Sequence, residues 1–221
     1  MTSRRILSLI TLAAVSAPFV GAVDLSRYRA FQLGSNLTMI VRQAQAQPSE
    51  VKLIHQQPDT IQELEWRPRS PSEKDSVRQV HFTFYNGQLF RMVVDYDRFN
   101  TEGVTAEDMI EAISRTYGPA TRPVAEIVIP STYNESVKVL ARWEDAQYSF
   151  NLVRFSIEDN FGVIAFSKQL DALARTATVE SLRLEALQAP QREADRQKKE
   201  DDENHTQHEK ARLVNKPAFR P

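Results

Sequence analysis

The sequence predicts an α+β fold: two related helix-plus-antiparallel-sheet units (pseudo-duplicated), followed by a C-terminal helix and a disordered tail. Three observations carry this reading. Residues 80–85 alternate apolar and polar side chains ahead of an Asn-Gly pair, and Gln88 to Tyr96 run back with alternating bulky side chains. The order of helix, short strand, Trp-containing strand and aromatic hairpin occurs twice between residues 35 and 166. After residue 190 apolar periodicity stops, and charged and amide side chains take over.

Residues 1–22 read as an export signal. Met1 to Arg5 form a cationic start, Ile6 to Val20 an apolar run, and Val20-Gly21-Ala22 supply the small residues a signal peptidase reads. The run is short for a spanning helix, which needs about 20 apolar residues. Ser3-Arg4-Arg5-Ile6-Leu7 partly matches a twin-arginine pattern, but Ser8-Leu9 departs from it, so the expected route is the ordinary secretory one. Cleavage after Ala22 would leave 199 residues and, by removing Arg4 and Arg5, take the formal charge from −1 to −3. No later segment reaches membrane-spanning length. The expected location is therefore periplasmic or secreted. A secreted chain with zero Cys must hold itself together by packing, which fits a bacterial envelope, and three glycosylation-like tripeptides are read as chance there.

The first unit occupies residues 23–103. Ser35 or Asn36 can cap a helix whose Leu37, Ile40, Val41 and Ala44 share one face, and Pro48 stops it. Val51–His55 and Ile61–Trp66 read as strands, and 67–75 as an exposed loop. Val80, Phe82 and Phe84 then alternate with His81, Thr83 and Tyr85, and Asn86-Gly87 supplies the two positive φ angles of a tight hairpin turn.

The second unit occupies residues 104–168, packed with the first as one domain. Thr105 to Asp108 form a capping-box start, Met109, Ile110, Ile113 and Tyr117 an apolar face, and Gly118-Pro119 a stop. Glu126–Ile129 is a short strand. Val137, Val139, Ala141 and Trp143 alternate along the next, and Tyr148, Phe150 and Leu152 along a third. Glu158 to Asn160 turn the chain into Gly162–Phe166. Neither unit alone buries enough surface, whereas about 140 residues sharing a core lie within the usual domain size. This favours an internal duplication.

Ser167 can cap a C-terminal helix over 169–190, which Pro190 ends. Residues 191–221 lack an apolar face and cannot repay their ordering entropy by burial, so they read as a disordered or transiently helical tail. Within it, Leu213, Val214 and Phe219 lie between Arg212, Lys216 and Arg220, in the manner of a tethered docking peptide.

The sequence offers little chemistry. Hydrophobic residues make up 41% of the chain, enough for a core, while Lys+Arg 28 against Asp+Glu 29 gives no basic excess for nucleic acid. Zero Cys removes disulfides, thiol catalysis and thiolate zinc sites. No glycine-rich phosphate loop, GxSxG elbow, HExxH helix or EF-hand loop occurs, and no cofactor or metal is expected. His205 and His208 lack a third ligand nearby. His81 shares a strand face with Thr83 and Tyr85, with Asp95 and Asp97 across the hairpin as carboxylates able to orient it. Glu63 and Glu65 flank Leu64 without a fixed carboxylate separation. Trp66, Trp143, Tyr148, Phe150, Phe155 and Phe161 read mostly as core. No catalytic residue is assigned. The candidate binding residues are His81, Tyr85, Asp95, Trp66, Trp143 and Phe219.

Leu33-Gly34-Ser35-Asn36-Leu37, Glu65-Trp66 and Phe82 to Leu89 together resemble the small bacterial envelope modules of the BamE/SmpA-like type, over residues 31–166. In those modules a Gly-led helix precedes a Trp/Tyr strand and an F-x-F-x-x-G-x-L hairpin. The resemblance implies a protein-binding scaffold. Such modules are usually lipoproteins with a second N-terminal helix; this chain has no Cys to carry a lipid, and no second helix is evident in it. The sequence thus predicts an exported, non-enzymatic module that binds an envelope protein or peptide. Two alternatives stand beside it: a secreted enzyme or enzyme inhibitor using the polar face around His81, and a binder of small apolar ligands between helices and sheet.

Overall fold

A computed structural model describes residues 23–68, 75–129, 135–156, 159–218 and 220. Residues 1–22, which the sequence reads as an export signal, lie outside the described residues, as do Glu158, Phe219 and most of the 67–75 loop. A short ribbon, β1 (Arg27–Tyr28) with β2 (Phe31–Gln32), leads into helix α1 (Leu37–Gln43). Four strands follow: β3 (Lys52–His55), β4 (Ile61–Trp66), β5 (Val77–Tyr85) and β6 (Gln88–Tyr96). Helix α2 (Ala106–Tyr117) precedes β7 (Glu126–Ile129), β8 (Glu135–Glu144), β9 (Tyr148–Arg154) and β10 (Phe161–Ser167). Helix α3 runs from Lys168 to Asn215.

The eight longer strands form one antiparallel sheet in the order β3-β4-β5-β6-β10-β9-β8-β7. Each half is a meander whose last strand meets its counterpart at the centre, so the order reads alike from either edge. At that seam Val163 faces Val94, Ile164 faces Val93 and Ala165 faces Met92.

Local sequence explains most boundaries. Asn36 caps α1, its side chain accepting from the Met39 amide at 2.8 Å. Gly34 (φ +85°) lets the preceding residues turn against the β5–β6 hairpin, where its amide donates to the Leu89 carbonyl at 2.7 Å. Asn86 and Gly87 adopt φ +46° and +75°. Those angles match the twist of the flanking strands. Thr105 and Asp108 make a reciprocal capping box on α2, and Gly118 ends that helix at φ +77°.

One sheet face carries the main core. Leu64, Phe82, Phe84, Met92, Val94, Trp143, Phe150 and Leu152 are buried there beneath Ile40 of α1 and Ala44, which caps its C-terminus. Met109, Ile110, Ile113 and Tyr117 of α2 pack against the same cluster. The Phe31 ring lies 4.6 Å from Phe82, and Tyr117 lies 4.5 Å from Phe150. Val93, Ile127, Val137, Val139, Val153 and Ile164 form a second cluster on the opposite face.

Two expectations change. The sequence pattern places Val137, Val139, Ala141 and Trp143 on one face, but a bulge between Val139 and Ala141 inserts Leu140, so Val139 opposes Val153 while Ala141 opposes Leu152. An extra residue reverses side-chain parity. Val137 and Val139 therefore point away from the main core that holds Ala141 and Trp143. The helix also runs on: α3 passes through Pro190 and continues over residues expected to be disordered or transiently helical. Arg196 pairs with Glu193 and Glu200, Lys199 with Glu203, and Arg212 with Glu209. Such pairs and good helix formers support a helix that has no core to cover. The exposed Pro190 leaves the Ala186 carbonyl to water rather than burying it unpaired.

Candidate functional site

The structure separates the candidate residues. Trp143 is 2% exposed, and its indole donates to the Gly118 carbonyl at 2.8 Å, which spends its polar atom on the loop after α2. Trp66 packs edge-on against Phe31 at 5.3 Å between ring centres. Both belong to the helix-covered face. His81, Tyr85 and Asp95 lie on the other face, at different ends of it. Tyr85 packs beside Ile61 and Phe90, and burial together with the hydrogen bond its hydroxyl donates to the Asp59 carboxylate raises its phenol above the ordinary range.

Asp95 does not orient His81. It is 6% exposed and is held by Arg78 Nε at 2.9 Å, by Gln79 at 3.1 Å and by Asn160. The β6 residue opposite His81 is Val93. The carboxylate comes from the other neighbour, β4: Glu63 Oε1 lies 3.0 Å from His81 Nδ1. Glu65 is directly opposite His81 and Glu63 is opposite Thr83, so the contact is diagonal across the strands. The hydrogen bond from His81 holds the Glu63 carboxyl below its ordinary range, against the opposing effect of burial. An ionised carboxylate only accepts, so Nδ1 is the nitrogen that donates to Glu63, and Nε2 is the ring nitrogen outside this bond. The side chains are 30% and 34% exposed. An oriented imidazole with a free Nε2 can take a proton from a substrate, but that role also needs a nucleophile or a pocket.

Helix α3 crosses this face along the end that carries Tyr85, Phe90 and Arg91. Arg91 and Asp171 form an ion pair with side chains 3% and 5% exposed, and Arg175 adds a second bond to Asp171 at 2.7 Å. Ala174 packs on Ile61 and Phe90. Where α3 reaches the β3 edge, Ser181 Oγ lies 3.0 Å from His55 Nδ1, and Glu185 Oε1 lies 3.3 Å from Ser181. These contacts fix where the helix leaves the sheet.

That edge was missed by sequence reasoning. β3 is an outermost strand of the sheet, and no described strand pairs with its outer side. Leu53 is 54% exposed and Ile54 46%. Unpaired backbone groups beside exposed apolar side chains form a template for another strand. The signal was present in Val51–His55, a short apolar-rich strand, but nothing local says which strands end a sheet.

A cleft of about 500 Å³ lies at the opposite end, lined by Phe99, Val104, Thr105, Arg154, Asn160 and neighbouring loop residues. It does not include His81. Arg154 there is bonded to Asp159 at 2.7 Å. Among the described residues no group of three or more His, Cys, Asp or Glu side chains is placed to hold a metal ion. Among the same residues no helix is long and apolar enough to cross a membrane. The chain matches no family model, no curated protein and no solved structure.

Proposed function

We propose that the protein is an exported, non-enzymatic binding module of the bacterial envelope, and that it captures an extended segment of another envelope protein by adding it as a strand beside β3. The observation that carries this reading is the open β3 edge with Leu53 and Ile54 exposed and α3 anchored alongside through His55, Ser181 and Glu185. Main-chain pairing would give affinity, and the two apolar side chains would select among sequences. The strand order that reads alike from both edges supports descent from a duplicated module of the BamE/SmpA-like kind. Export rests on the cationic, apolar and small-residue segments of residues 1–22.

The test is affinity capture from an envelope fraction with the wild type, with Leu53→Lys/Ile54→Lys and with His81→Ala. Lysines on an edge strand oppose pairing. The double variant should lose the wild-type partners while keeping its thermal midpoint, and His81→Ala should retain them. Capture unaffected by the edge lysines would refute the strand-addition reading.

One observation favours a second reading. The Glu63–His81 pair has the geometry of an oriented general base, so an enzyme or enzyme inhibitor acting through this face predicts that His81→Ala loses activity while the edge variant keeps it. A small-apolar-ligand site between helices and sheet is less supported, because rings and aliphatic side chains pack that layer.

A further inference from the structure

We propose that residues 210–218, at the far tip of α3, dock the protein on an anionic lipid surface, with the helix as spacer. From Ala186 to Asn215 the helix runs beyond its last contact with the β3 edge, a reach of about 45 Å at 1.5 Å per residue. Its ion pairs at i,i+3 and i,i+4 keep the arm extended rather than collapsed on the sheet.

Charge is segregated along the arm. Residues 191–209 contain seven acidic and four basic side chains, whereas residues 210–220 contain Lys210, Arg212, Lys216 and Arg220 and no carboxylate side chain. Apolar groups accompany the cations: Leu213 is 65% exposed and Val214 73%. Helical spacing places Lys210 with Leu213, Val214 and Pro217 on one side, and Arg212 and Lys216 on the other.

This pattern fits a lipid surface better than a protein groove. A helix read by a groove presents apolar anchors at i, i+3 or i+4 and i+7. Here the exposed apolar pair is adjacent and stops within one turn, too little for a groove. A few apolar side chains combined with several cations is instead the two-part signal for reversible binding to anionic headgroups.

The test is co-flotation of the full chain with vesicles of phosphatidylglycerol and phosphatidylcholine, or of phosphatidylcholine alone. Lys210→Glu/Lys216→Glu and Leu213→Asp/Val214→Asp are measured alongside, with circular dichroism to check the helix. Residues 1–22 are common to every sample, so the share of the tip is read as the difference between wild type and variants on the same vesicles. On the anionic vesicles the wild type should bind about tenfold more than either variant, and that excess should fall as salt is raised and be absent on the neutral vesicles. Equal binding of wild type and variants to the anionic vesicles, or the same excess on the neutral ones, would overturn the proposal. So would capture of a protein through this tip without vesicle binding.

Discussion

At the residue scale the sheet face turned away from the main core carries two carboxylates in contrasting surroundings. Asp171 is buried between Arg91 and Arg175, the first enclosed and the second 54% exposed. Breaking a buried pair leaves an uncompensated charge and typically costs about 3–5 kcal/mol, whereas an exposed partner is worth about 1 kcal/mol or less. Arg91→Ala should therefore lower the urea-unfolding free energy by roughly that larger amount, and Arg175→Ala by no more than the smaller. Equal losses would mean that Arg91 does not set the position of α3. Glu63 is the half-exposed case. Its carboxyl is held low in the folded state, chiefly by His81, so the associated stability is present above the ordinary glutamate range and fades as pH falls through the lowered folded value. Replacing His81 with Ala should move the Glu63 titration upward in carbon-detected NMR and weaken the acid dependence of unfolding. An unchanged Glu63 titration would show that the pair does not form in solution.

At the element scale, what was legible in the sequence was whatever is encoded within a few residues. Asn36, the Thr105–Asp108 box, Asn86-Gly87 and Gly118 each act on backbone groups close by, and each sits where expected. The bulge at Leu140 was not legible, because it is defined by the facing strand β9 and not by the spacing of Val137, Val139, Ala141 and Trp143. The partner of His81 was missed for the same reason: hairpin proximity points to β6, while the neighbour β4 arrives through sheet order. The helix over 169–190 was expected, and its continuation past Pro190 was missed for a different reason. Apolar periodicity detects helices that cover a core, and the arm is supported by ion pairs along its own surface. Burial along α3 ends at Ser181, the last of its buried residues. The arm beyond Pro190 should therefore exchange its amide hydrogens far faster than β6 or β10 in a hydrogen-exchange experiment. Removing residues 191–221 should change the unfolding free energy by less than about 0.5 kcal/mol. Slow exchange across 191–215 in the isolated protein would point to a packing partner for the arm.

At the scale of the whole molecule, the seam between the halves decides whether there are two domains or one. Met92, Val93, Val94, Val163, Ile164 and Ala165 meet across β6 and β10, and all are buried at 7% exposure or less. The main core is also continuous across that seam, joining Phe82 and Met92 of the first half to Phe150 and Leu152 of the second. Separating the halves would bare this surface on both and open a long apolar edge on each, a form that associates rather than stands alone. A single cooperative unit follows. Calorimetry of the intact chain should give one transition with matching calorimetric and van't Hoff enthalpies. A fragment spanning 23–103 should lack a cooperative thermal transition by circular dichroism, and so should 104–190. Mixing the two fragments should restore the transition, because the only thing each lacks is the other's half of the seam and core. Independent melting of either fragment would mean that each half buries enough on its own, and that the shared sheet is an interface between two domains.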